Sequence, residues 1–301
     1  MRKFCIFLLC ILLLSGCTNA PETKDSLSVV SVSFPGYSFA KEILGDNAEI
    51  TLLLPLGSEA HGYEPTPKDI IKIQSCDLFI YGGGESEHWV EEVLSSIDGN
   101  VTALKMTSCV ELLKAETPKG AEHSHEHGNE FDAHVWTSPK NAMKITRKIS
   151  DILCEKDKNN AEFYKNNTDA YLAKLDALDK AFTEAVKEGD TLVMGDRFPF
   201  LYLVKEYGIE YYAAFPGCAG ETEPGSATVA ALIDKVNSEN IPVVFHTEFS
   251  NMKVANTICE ATGAKPLMLH SCHNVSMEDF EKGESYLSLM YKNLENLKEA
   301  F

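Results

Sequence analysis

Nine histidines punctuate this chain, and their placement is hard to read as ordinary core. His61 sits in Gly57-Ser58-Glu59-Ala60-His61-Gly62-Tyr63-Glu64-Pro65-Thr66-Pro67, and His134 in Asp132-Ala133-His134-Val135-Trp136. His270 ends an apolar run in Leu267-Met268-Leu269-His270-Ser271-Cys272-His273-Asn274. Neutral imidazole is a good zinc ligand, and a nearby acid orients each ring through its second nitrogen; Asp132 is placed to do this for one of them. His123, His125 and His127 crowd instead into one polar stretch. That stretch reads as an accessory loop that collects zinc weakly and feeds the main site.

These residues need elements to position them, and the hydrophobic period switches repeatedly along the chain. Strands are expected over 27–34, 49–54, 77–81 and 101–105, with helices near 37–44, 67–75 and 86–97. Thr66 is the expected N-cap of the second helix and Pro67 its first residue. The pattern recurs with strands over 191–195, 210–215, 243–249 and 265–269 and helices near 200–207, 227–238 and 252–261. Strands alternating with helices predict an α/β protein of two lobes, each with a mostly parallel four-stranded sheet flanked by helices. A helix from Ser138-Pro139 to about Cys154 comes between them. Tyr164, Tyr171, Leu175, Leu178 and Phe182 then share one face of a long helix over 159–187, roughly 40 Å in length. The expected organisation is an N-terminal lobe at 27–156, a rigid linking helix at 157–188 and a C-terminal lobe at 189–301. In such sheets, loops beyond the carboxyl ends of strands converge on a crevice, and the three isolated histidines all fall in such loops.

The first residues read as a processing segment. Arg2 and Lys3 precede an apolar run from Phe4 to Leu14 that is too short to span a bilayer. Leu14-Ser15-Gly16-Cys17 resembles a lipobox, with a signal peptide at 1–16 and the lipid on the Cys17 sulfur. Residues 17–26 would then be a polar tether reaching roughly 30 Å when extended. The expected location is the extracytoplasmic face of a cell membrane. The formal net charge is −18, and loss of Arg2 and Lys3 makes it more negative still. That acid surplus excludes nucleic acid as a partner, which needs clustered basic residues. Cys76, Cys109, Cys154, Cys218, Cys259 and Cys272 are scattered without a CxxC pair, too sparse for a disulfide scaffold. Cys218 and Cys272 both follow strand ends and could meet in the cleft, as a disulfide, as free thiols or as metal ligands. Gly82-Gly83-Gly84 follows a strand, but no Walker motif completes it, so the chain itself is not expected to hydrolyse ATP. No HExxH is present to support a zinc hydrolase, and an enzyme is not expected.

His-x-Tyr-Glu-Pro-Thr-Pro at 61–67, Asp-x-His-Val-Trp at 132–136, and then Pro139 and Asn141-Ala142 resemble the zinc/manganese solute-binding lipoproteins of bacterial ABC importers. Tyr164-x-x-Asn167 and Phe245-x-x-Glu248-Phe249-Ser250 extend the likeness over nearly all of the mature chain. The resemblance implies two α/β lobes joined by one helix, a single metal held between them, and delivery to a membrane permease by a monomeric protein. It makes His61 and His134 the first two ligands. Counting back from Tyr202 and Gly208 puts Arg197 at the position of the usual third ligand, and a guanidinium cannot ligate. His270 stands where the family has an acid. Asp196 is the first choice for the fourth ligand, Glu248 and Glu59 are its alternatives, and Cys272 and His273 follow. Arg197 could instead pair with one of those acids. Three nitrogens and one oxygen favour zinc over manganese. A manganese or iron carrier and a metal-dependent adhesin are the alternatives.

Overall fold

The computed structural model describes residues 27–45, 48–59, 62–97, 101–120, 131–217 and 224–301. Apolar, β-branched Val29 and Val30 place β1 (Ser28–Ser31) at the centre of a sheet. Around it stand β2 (Glu49–Leu52), β3 (Leu78–Tyr81) and β4 (Ala103–Lys105), all parallel, in the order β2-β1-β3-β4. The helices α1 (Phe34–Leu44), α2 (Pro67–Ser75) and α3 (His88–Ser96) follow the first three strands. α2 starts as expected: Thr66 Oγ1 accepts from Asp69 N while the Asp69 carboxylate accepts from Thr66 N, and Pro67 costs no helical bond. α1 starts three residues before its expected start, because Pro35 fits the first helical turn and Phe34 buries its ring rather than extending β1.

The second sheet repeats the plan, with β5 (Thr191–Phe198), β6 (Glu210–Pro216), β7 (Val243–His246) and β8 (Lys265–Met268) parallel in the order β6-β5-β7-β8. Between the sheets run α4 (Pro139–Lys156) and α5 (Ala161–Ala185). α5 buries Tyr164, Thr168, Tyr171, Leu172, Leu175, Leu178 and Phe182 on one face, the stripe its sequence spacing requires. In the second lobe α6 (Leu201–Tyr207), α7 (Ser226–Glu239) and α8 (Lys253–Thr262) alternate with the strands. Two helices that periodicity did not single out close the chain, α9 (Met277–Glu281) and α10 (Tyr286–Lys298). α10 packs on α5 and α1, so the end of the chain returns to the first lobe.

Two departures shape the site. β5 runs three residues further than its apolar pattern, through a bulge: Met194 pairs with Ala213 but Arg197 with Phe215, one extra residue on the β5 side. β7 stops at His246 rather than reaching Phe249. The Thr247 amide leaves the ladder to donate to Asp196 Oδ2 at 3.1 Å. Gly195 lies under this bend, where a Cβ would stand 2.5 Å from the Ala255 backbone, so only glycine lets α8 approach β5 so closely.

One buried hydrophobic cluster joins the lobes. It runs from Val29 and Leu78 through Trp136 and the buried stripe of α5 to Leu192, Phe245 and Leu294. The lobes therefore share a core rather than hanging from a flexible linker.

Candidate metal site

His134 is buried in the cleft and held from several sides. Asp132 Oδ1 accepts from the His134 amide at 2.8 Å and faces ring Nδ1 at 3.0 Å. A carboxylate can only accept, so Nδ1 carries the proton and Nε2 keeps a free lone pair. Thr137 Oγ1 donates to the His134 carbonyl, and only 3% of the residue is exposed. Its ring meets Trp136 edge-on at 5.6 Å and His273 at 5.7 Å between centroids.

His273 arrives from the opposite lobe on the loop after β8. Its amide donates to Ser271 Oγ, and its carbonyl accepts from the Phe34 amide. Ser271 is itself clamped: its amide and hydroxyl donate to the two oxygens of Glu248, at 2.9 and 2.5 Å, and its carbonyl accepts from Trp136 Nε1. Asn274 Nδ2 donates across the cleft to the carbonyls of Pro55 and Ser58, and Gly57 N donates to the Val275 carbonyl. This loop stitches the lobes together and presents the His273 ring beside that of His134.

The two imidazoles line a cavity of about 30 Å³ with Glu59, Arg197, Glu248 and Asn274 among its walls. That is room for one ion or one water. Its walls come from the end of β5 and from segments that follow β2, β4, β6, β7 and β8, on the carboxyl side of the strands in both sheets.

The structure does not bring every expected ligand here. His270 is outside the wall of this cavity. Its Nδ1 accepts from the Cys272 amide at 2.9 Å, its backbone is pinned by Asn293, and its Nε2 is buried with no partner among the described residues. Asp196 is likewise engaged elsewhere, its Oδ2 accepting from the Thr247 amide and hydroxyl and its Oδ1 from the Arg197 amide. Glu248 lines the cavity but spends both oxygens on Ser271. Glu59 lines it too, with Oε2 held 2.6 Å from Arg197 Nη2. Cys272 is a free thiol, fully buried, and burial pushes it well above the usual thiol range. It sits at φ +60, a left-handed conformation that costs a non-glycine residue about 1–2 kcal/mol and turns the loop between His270 and His273. Among the described residues no three His, Cys, Asp or Glu side chains converge closely enough to hold an ion. His61, the His123, His125 and His127 loop, Cys17 and Cys218 lie outside the described residues.

Sequence reasoning left His273, with Cys272, behind the acids, and gave no role to Asn274, which lines the cavity. The available signal was the pair of imidazoles three residues apart after the final strand, of which His273 alone lines the cavity.

Two parallel sheets with one shared core, and a small cavity between their strand ends, define a two-lobed α/β protein. Residues 29–300 match the family described as zinc-uptake complex component A, periplasmic (ZnuA), and the chain belongs to that family. It is 34% identical to the zinc-binding lipoprotein AdcA of Streptococcus pneumoniae, over all of this chain and 61% of that protein. The chain thus spans about three fifths of the length of that relative. It is 33% identical to the high-affinity zinc uptake system protein ZnuA of Bacillus subtilis, over 97% of this chain and 94% of that one. The solved zinc-bound ZnuA-like domain of S. pneumoniae AdcA superposes with a TM-score of 0.76 at 33% identity, over 91% of this chain and 98% of that domain.

Proposed function

We propose that the chain is the metal-capturing component of an ABC importer, holding one zinc ion between its lobes and handing it to a membrane permease. The observation that carries this reading is the meeting of His134 and His273, from opposite lobes, at a cavity the size of one ion. Relatives named for zinc binding and zinc uptake support the same cargo. His61 supplies a further imidazole in this reading: Glu59, two residues before it, already lines the cavity. Asp132 holds the His134 ring in the tautomer that offers Nε2, and the Glu248–Ser271 clamp sets His273. His270, first expected as a ligand, is assigned instead to bracing this loop. Imidazole donors favour zinc over manganese, which prefers more oxygens.

Cys17 carries the lipid that tethers the lobes to the extracytoplasmic face of the cell membrane, and the loop at His123, His125 and His127 collects zinc at low affinity. The chain acts as a monomer and catalyses no reaction. No helix among the described residues is long and apolar enough to cross a membrane.

The test is a competition titration of the metal-free protein with zinc. One equivalent is expected to bind tightly, and His134→Ala and His273→Ala are each expected to weaken it at least tenfold, as loss of a ligand does. Full-strength binding in both variants would refute the site.

A further inference from the structure

The wall of the cavity carries a cation, where a metal site should repel one. Arg197 and Glu59 form an ion pair at 2.6 Å, and both line the cavity with His134 and His273. The partners come from opposite lobes, Glu59 from the loop after β2 and Arg197 from the bulge in β5. With side-chain exposures of 42% for Glu59 and 23% for Arg197, neither is needed by the core. Guanidinium is always charged and cannot ligate, but its fork fits a carboxylate.

The neighbouring acids are committed differently. Asp132 faces the His134 ring, Asp196 holds Thr247 and Glu248 holds Ser271. Glu59 is the cavity acid paired with a long, part-exposed side chain able to swing away.

We propose that Arg197 is a specificity-determining residue: by holding Glu59 it withholds an oxygen donor from the ion and keeps the site rich in nitrogen. This rests on the reading that the ion sits in this cavity. Zinc is well served by imidazoles, whereas manganese gains more from a carboxylate. Arg197 therefore biases the site toward zinc. Its positive charge also weakens any divalent ion, but that effect acts on both metals alike and cancels in their ratio.

Competition titrations of the metal-free full chain with Zn²⁺ and Mn²⁺ read that ratio. In Arg197→Ala the manganese-to-zinc affinity ratio is expected to rise about tenfold, because Glu59 becomes available as an oxygen ligand. Adding Glu59→Gln returns the ratio to the wild-type value, while a gain common to both metals persists. Arg197→Lys keeps a cation opposite Glu59 and stays within about threefold of wild type. Matching thermal melts establish that the variants are folded alike. An unchanged ratio in Arg197→Ala, or a raised ratio that survives Glu59→Gln, overturns the proposal. Failure of the wild-type chain to bind either metal would instead overturn the uptake reading beneath it.

Discussion

Two histidines separated by two residues have opposite fates on the loop after β8. His270 turns inward, where Nδ1 accepts the Cys272 amide, while His273 faces the cavity beside His134. Zinc affinity should therefore separate the pair. His273→Ala is expected to lose at least tenfold in affinity, while His270→Ala retains binding within a few-fold and instead loses about 1–3 kcal/mol of stability through its unpaired neighbours. Parallel zinc titrations and urea melts check this, and the reverse pattern would restore His270 as the ligand. Asp132→Asn is expected to weaken zinc binding about 10–100-fold without removing a ligand, because the amide no longer dictates the ring tautomer. An unaltered affinity would deny Asp132 that role. The contact of Asp132 with the His134 ring was legible in the sequence because the two are near neighbours and act locally. Which of His270 and His273 lines the cavity was not, because it depends on the left-handed turn at Cys272 and on Glu248, 23 residues away from Ser271.

At the scale of elements the same division holds. The start of α2 was readable because Thr66, Pro67 and Asp69 settle it among themselves. Thr66→Ala is expected to cost about 1 kcal/mol in a denaturant melt, the worth of an N-cap, and no change would mean that the capping box is idle. α5 was readable from its apolar spacing, and its inner face binds both lobes. Phe182→Ala should cost about 3–5 kcal/mol by leaving a cavity in the shared core. The bulge in β5 and the early end of β7 were hidden, since Asp196 and Thr247 meet across 51 residues. Asp196 was drawn into the ligand set by standing next to Arg197 in sequence, whereas in the fold its Oδ2 accepts from the Thr247 amide and hydroxyl and holds the end of β7 to β5. The two C-terminal helices were passed over because α9 is short and α10 is defined more by its Ser285 cap and its packing on α5 than by a clean period.

Across the whole molecule, the shared core makes the fold independent of its cargo. Removing zinc with a chelator is expected to lower the melting temperature by mass action while leaving one cooperative transition. Two separated transitions, one for each lobe, would contradict a continuous core. The pH response of the metal-free protein should reflect Glu87, which is buried in the first lobe with its carboxylate accepting from the Gly83 amide. Burial pushes its carboxyl up to about 7 from the ordinary 4.5. A raised acid favours the folded state while protonated, so its contribution is full below 4.5 and lost as pH rises through 7. Glu87→Gln should recover about 2–3 kcal/mol relative to wild type at alkaline pH and little near pH 4, as read by urea melts. A pH-independent difference would deny Glu87 that role. Zinc affinity should move oppositely and fall in acid, since each imidazole must be free of its metal-binding proton.

Zinc K-edge absorption on the loaded protein addresses the coordination itself. Scattering from imidazole rings, with nitrogen at about 2.0–2.1 Å, is expected in the wild type and should lose a ring in both His134→Ala and His273→Ala. A shell of oxygen or sulfur alone, or one unchanged by His273→Ala, would show that the second lobe does not supply its imidazole to the ion.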